Sequence, residues 1–441
     1  MLTRRALLNA TAGSLAVAGL PAGTRLAFGA TGAPLLVVVF LRGAADLLSL
    51  VAPSGNAEYQ AARPTLAIPA SGTGAGLPLA GSLNGQTFTL HPAATGIAEL
   101  YGAGKLAIVH ATGLVSTNRS HFQSQEMMER GYADAETPPA TGWLARHLAT
   151  VAVAGQVPLL AVASEVPMAL QGEMRAVSMT TPASFRVSGG QRNAGVLAKL
   201  AARGGPRALV MRNTLDAVAR VTAAAAAASV AKAAVADDDD AMPDGGMMAG
   251  NAMSTGMMAP PAATAGAAAA AAADTVSYGS GELATSLKTI ADLAKAEIGL
   301  TVATADFGGW DTHDAQAGRF QTQATRLSQA LAALHADLAA MGERLTVVVM
   351  SELGRRLIEN QNRGTDHGHG SVVLVSGVGI KGGLYGAWPG LKAAALDQGL
   401  DLAINTDYRR VLAEVLVKRA GQTRIGEVFP TLGSAAALEL A

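Results

Sequence analysis

The sequence predicts an α/β protein with a mostly parallel central sheet flanked by helices on both faces. Three observations carry this. Short apolar runs rich in valine and leucine recur along the chain, helical patterns separate several of them, and unusual polar residues collect beside the runs. A continuous apolar run suits a strand buried on both faces, and such strands belong to parallel sheets covered by helices. In such sheets function gathers beyond the carboxyl ends of the strands. Half of the 441 residues are hydrophobic, enough to bury a large core.

The chain opens with Thr3-Arg4-Arg5-Ala6-Leu7-Leu8 and a weakly apolar stretch from Ala10 to Leu20. This resembles a twin-arginine export signal over residues 1–30, with small residues around Ala27, Gly29 and Ala30 for cleavage. The expected partner during export is the twin-arginine translocase, and the expected location is the bacterial periplasm or the exterior.

The first strand is read at Leu35–Leu41 (LLVVVFL). Asp46 follows it, and either ligates a metal or caps a helix starting at Leu47. Further strands are read at Leu106–His110, Leu159–Ala163, Leu300–Thr304, Leu345–Met350 and Val372–Val375. Helices are read over Ser120–Arg130 and Asp314–Met341, where Leu327, Leu331, Leu334 and Leu338 share one face. Residues 31–441 are read as one α/β domain, interrupted at about 235–274 by an Asp, Met, Gly, Pro and Ala stretch too poor in large apolar residues to order itself. Its methionines, Met247, Met248, Met253, Met257 and Met258, also suit Cu(I) capture.

Composition excludes several functions. A formal net charge of zero and 4% aromatic residues argue against nucleic acid as a partner. The absence of cysteine removes thiolate metal sites, disulfides and cysteine nucleophiles.

Beside Asp46, the chemistry lies in four clusters. Asp366, His367 and His369, in Thr365-Asp366-His367-Gly368-His369-Gly370, place three potential ligands in four residues; the bland reading is a solvated polar turn. Because they precede a strand, they need a loop that doubles back over the edge where the other clusters lie. Asp311 and His313 follow Gly308-Gly309-Trp310, as ligands or as a helix cap. Glu352 ends an apolar run, as ligand or base, and Arg355 offers a fork for an anion. In Ser116-Thr117-Asn118-Arg119-Ser120-His121, a hydroxyl at a helix N-terminus is favoured as a nucleophile; Ser120 comes first, Thr117 second, with Arg119 and His121 toward substrate oxygens. The alternative is a capping serine. His91, His110, His147 and His335 read as structural.

These motifs in this order, with Arg42-Gly43-Ala44-Ala45-Asp46, Gly382-Gly383-Leu384-Tyr385-Gly386 and Thr406-Asp407-Tyr408-Arg409, resemble the bacterial "domain of unknown function 1501" family across nearly the whole chain beyond residue 30. That family is similar to the alkaline phosphatase and sulfatase superfamily. The resemblance implies an alkaline-phosphatase-like fold, a hydroxyl nucleophile (Ser120, then Thr117), one or two divalent metals such as zinc or manganese, and Asp46, Asp311, His313, Glu352, His367 and His369 near the ligand positions. Two departures stand out: Glu352-Leu353 replaces the usual Asp-His pair, and Asp311 and His313 are unusually close in sequence. A formylglycine sulfatase is disfavoured. The expectation is an exported metal-dependent hydrolase of small-molecule or glycan phosphate or sulfate esters. Alternatives are a degenerate, non-catalytic binding protein that keeps the fold, and a non-haem iron oxidoreductase.

Overall fold

The computed structural model describes residues 33–223, 226 and 276–441, less 135, 152–158, 174, 188–189, 205–207, 209–210, 213, 297 and 434–436. The residues read as an export signal and the methionine-rich stretch lie outside the described residues.

The strands are β1 Leu35–Leu41, β2 Val51–Ala52, β3 Leu77–Pro78, β4 Thr89–Leu90, β5 Leu106–Gly113, β6 Leu159–Val162, β7 Ala176–Ser178, β8 Val302–Phe307, β9 Leu345–Ser351, β10 Ser371–Ser376, β11 Gly383–Tyr385 and β12 Thr406–Asp407. All six predicted apolar runs are strands. Nine strands form one sheet in the order β11-β5-β10-β9-β1-β8-β6-β7, with β12 also on β5; β2, β4 and β3 make a small separate sheet. The helices used below are α1 Leu47–Leu50, α2 Ala57–Ala62, α3 Thr95–Gly102, α4 His121–Arg130, α5 Trp143–Thr150, α6 Gly190–Ala202, α7 Glu282–Lys295, α8 Gln316–Asp337 and α9 Tyr408–Arg419.

Strand β1 shows why a run with no polar residue belongs at the centre. Leu35, Val37, Val39 and Leu41 enter one hydrophobic cluster with residues of α3, α7 and α8. Leu36, Val38 and Phe40 enter the other, with residues of α4, α5 and α9. Successive side chains point to opposite faces, so a strand with helices on both sides must be apolar throughout. Each fully buried side chain contributes roughly 1.5–3 kcal/mol. The result is a mixed α/β molecule with a large, mainly parallel sheet flanked by helices.

One strand runs against the rest. β10 pairs antiparallel with both β5 and β9, whereas β1, β8, β9, β6 and β7 pair in parallel, as do β5, β11 and β12. This reversal answers how a loop preceding a strand reaches the functional edge. β10 begins where its neighbours end, so Thr365–Gly370 lies at the carboxyl edge without a long detour. Beyond β9 the chain runs out through Leu353–Leu357 and is met by the returning segment: Gly368 N–H donates to the Gly354 carbonyl (2.9 Å) and Arg356 N–H to that of Asp366 (2.9 Å). Glycine is required for this contact, since a Cβ on Gly368 would lie 2.6 Å from the Arg355 carbonyl carbon.

Candidate metal centre at the carboxyl edge of the sheet

Loops after β1, β5, β8 and β9, with the loop before β10, meet at this edge. Their approach is close at Gly43, whose φ of +109° and 2.7 Å gap from a would-be Cβ to Asp311 N leave no room for a side chain.

Three imidazoles converge there on one carboxylate. Asp311 Oδ1 lies 3.0 Å from His313 Nε2, 3.2 Å from His367 Nε2 and 3.5 Å from His121 Nε2. His313 Nε2 and His367 Nε2 are 3.0 Å apart. One ligand atom each from His121, Asp311 and His367 lies within 4.8 Å of the others. His121 Nε2 is buried and makes no hydrogen bond.

The opposite nitrogen of every ring is held by an acceptor. His121 Nδ1 faces Glu352 Oε1 (2.9 Å), His313 Nδ1 faces Asp366 Oδ1 (3.0 Å) and His367 Nδ1 faces the Arg119 carbonyl (2.9 Å). In a neutral ring, an acceptor at Nδ1 fixes the proton there and leaves the Nε2 lone pair aimed inward. Three lone pairs and an anionic oxygen around one point repel one another unless a proton or a cation lies among them. Carboxylates and carbonyls behind ligand histidines are what a metal site uses to fix tautomer and orientation.

The three carboxyls around the cluster all lie below their ordinary range. Burial alone would push the Glu352 carboxyl up, but donors from His121, Gln125 and the Gly43 main chain outweigh it and hold it below the usual carboxylate range. Asp311 is opposed by burial too, yet Arg355 and His367 bring it down to about 2. His313 holds Asp366 below its ordinary value. Glu352 raises His121, and burial lowers His367.

Other predicted site residues are placed differently. Asp46 does not join the cluster. It is fully buried, and Arg63 (2.6 Å and 3.1 Å), Ser49 (2.7 Å) and Gln316 (2.6 Å) occupy its oxygens. It stands at the N-cap of α1, which begins at Leu47 as expected, but its side chain makes no capping bond there. Glu352 and Asp366 stand behind the histidines. His121, expected toward substrate oxygens, points its Nε2 into the cluster instead.

Arg355 is not free for an anion. It is 1% exposed and donates to the carbonyls of Ala44 (2.6 Å), Gly43 (2.7 Å) and Thr365 (2.5 Å) and to Asp311 Oδ1 (2.6 Å). It therefore staples three loops and orients Asp311. Arg355→Met is expected to strand these buried acceptors and to destabilise the fold by about 3 kcal/mol or more, read as a lowered denaturation midpoint.

Thr117 spends both its N–H (2.6 Å) and its hydroxyl (3.2 Å) on Asp134. Ser120 is the exposed N-cap of α4 and makes no capping bond, so its hydroxyl is unengaged by the helix. Arg119 joins both halves of the edge: its carbonyl holds His367, and its guanidinium bonds Asp401 (2.5 Å). His369 leaves the first cluster and pairs through Nδ1 with Asp397. The four histidines read as structural are partly or fully enclosed, and burial brings each down to about 4.

Sequence reasoning missed Arg63, Gln316, Gln125, Asp397 and Asp401. Arg63 and Gln316 are lone polar residues without a motif, and only the tertiary structure reveals their partners.

The family model described as "Protein of unknown function (DUF1501)" matches residues 33–416, so the chain belongs to that family. No match to a curated protein was found. Among the described residues, no helix is long and apolar enough to cross a membrane.

Proposed function

For this member of the DUF1501 family, we propose a metal-dependent hydrolase of the alkaline-phosphatase-like type, exported by the twin-arginine route and acting on phosphate or sulfate esters. The observation that carries the reading is the convergence of the Nε2 atoms of His121, His313 and His367 on Asp311 Oδ1, with His121 Nε2 buried and unpartnered. Imidazoles with a carboxylate suit zinc or manganese. His121, His313, His367 and Asp311 would hold the ion, and Glu352, Asp366 and the Arg119 carbonyl would fix the rings. When bound, the cation supplies Lewis acidity toward the charge that develops on the transferred group.

The chain's own groups do the rest. Ser120 lies between Arg119, whose carbonyl holds His367, and His121, so the hydroxyl belongs to the segment that builds the site. At the start of a ten-residue helix, main-chain N–H groups and the helix dipole favour negative charge. In this reading Ser120 Oγ attacks the phosphorus or sulfur as its proton is given up, the bond to the ester oxygen breaks and that oxygen takes up one proton to depart as an alcohol, and water then hydrolyses the Ser120 ester, releasing phosphate or sulfate and restoring the hydroxyl.

Charge makes a further demand. Among the described residues, five carboxylates gather at this edge: Arg355 bonds Asp311 and Arg119 bonds Asp401, whereas Glu352, Asp366 and Asp397 bond His121, His313 and His369. An anionic ester is repelled by such a cleft until divalent charge is present. The test is hydrolysis of aryl phosphate and aryl sulfate by protein loaded with zinc or manganese. Ser120→Ala is expected to lower turnover at least 100-fold while leaving metal content unchanged. Unaltered turnover removes Ser120 as nucleophile. A metal-free protein whose stability ignores chelators favours the degenerate binding protein, a reading to which the fully engaged Glu352 carboxylate lends weight.

A further inference from the structure

A second cluster at the same edge contains none of the first site's ligands. His369, Asp397 and Asp401 each bring one ligand atom within 4.8 Å of the others. His369 is 3% exposed and Asp401 is fully buried. Asp401 Oδ2 accepts from Arg119, but Asp401 Oδ1 is buried with no hydrogen-bond partner, and so is His369 Nε2. His369 Nδ1 bonds Asp397 and lies 3.8 Å from Asp401 Oδ2.

Natural proteins rarely bury a carboxylate oxygen without a partner, because the uncompensated desolvation is costly. Among the described residues, the two carboxylates of the cluster have one guanidinium, that of Arg119, within hydrogen-bond reach, and it bonds Asp401 Oδ2 alone. A cation would supply the missing partner of Asp401 Oδ1. There is also a way in: a cavity of about 520 Å³ is lined by His369 and Asp397, with Ser116, Thr117, Asp134 and Arg409 on its other walls.

We propose that His369, Asp397 and Asp401 form a second divalent-cation site, separate from the His121–Asp311–His313–His367 centre and reached from this cavity. One imidazole nitrogen and two carboxylates suit zinc or manganese. Arg119 links the sites, because its main chain holds a first-site histidine and its side chain a second-site aspartate.

The experiment is a calorimetric titration of the full chain, stripped with chelator, using Zn²⁺ alone and then Mn²⁺ alone. The expected stoichiometry is two ions per chain. Asp397→Asn, at a partly exposed position that tolerates substitution better than buried Asp401, is expected to lose one equivalent and keep the other. His121→Asn is expected to lose the other and keep the Asp397-dependent one. The wild-type count tests the proposal even if a variant unfolds, and circular dichroism confirms that each variant is folded. One ion lost in His121→Asn and retained in Asp397→Asn overturns the second site and leaves the first intact. One ion with the reverse dependence supports the second site and sinks the first. No ion in the wild type overturns both.

Discussion

His367→Ala is expected to abolish tight zinc binding at the first centre, and esterase turnover with it, while the protein stays folded. His367 holds two positions at once: Nε2 lies 3.2 Å from Asp311 Oδ1, and Nδ1 faces the Arg119 carbonyl, which tethers the segment before α4. The alanine variant removes a ligand and unties that segment, so the loss of affinity should exceed the 10–100-fold typical of losing a group behind the ligands. Glu352→Gln should show that smaller loss, since a neutral amide still fits the site but no longer favours the His121 Nδ1–H tautomer. Competition against a chelator of known affinity measures both. Thermal denaturation gives an independent reading: an ion present at 100 times its dissociation constant stabilises the wild type by about 2.7 kcal/mol, and His367→Ala should lose the share of that gain owed to the first centre. Protons compete with the ion for the imidazole lone pairs, so wild-type affinity should fall with decreasing pH. Equal zinc uptake by wild type and His367→Ala would remove this centre and the hydrolase reading with it.

The extent to which this was legible in the sequence follows a physical division. The apolar runs at β1, β5, β6, β8, β9 and β10 are visible because burial on both faces leaves no position for a polar residue. The helix expected over Asp314–Met341 spans Gln316–Asp337, since leucine periodicity marks the packed face well and the ends poorly. Short strands such as β7, β11 and β12 lack such a run, because they owe their pairing to the neighbour they meet. At the edge, the sequence marks residue types but not their order around a centre. A carboxylate that touches the centre and one that stands behind a histidine look alike in sequence, which is why Asp311, Glu352 and Asp366 each read as a candidate ligand. The antiparallel course of β10, which brings His367 to the edge, depends on strand pairing that no local pattern encodes. Asp46 is the sharpest case. An aspartate after a first strand suits a ligand, and nothing in the sequence announces that Arg63 will claim it.

That pairing sets the second large effect, because Asp46→Ala should destabilise the protein by about 3–5 kcal/mol without altering its metal content. Asp46 and Arg63 are both fully buried and joined through two hydrogen bonds. Truncating the aspartate leaves a guanidinium charge inside the protein with only Ser49 and the carbonyls of Leu357 and Arg356 as acceptors. The double variant Asp46→Ala/Arg63→Met should recover part of the loss, because the stranded charge accounts for most of the cost. The pH dependence has a definite sign. Burial opposes ionisation of Asp46, but Arg63 prevails and lowers its pKa in the folded state. A carboxyl lowered on folding contributes its full stability above its unfolded pKa of about 3.9, and that contribution disappears as pH falls through the folded value. Wild type should therefore lose stability on acidification below about pH 4 more steeply than Asp46→Ala, so that the two denaturation midpoints converge. A variant as stable as the wild type at neutral pH, but short of one metal ion, would show that Asp46 serves the centre and that its pairing with Arg63 contributes little.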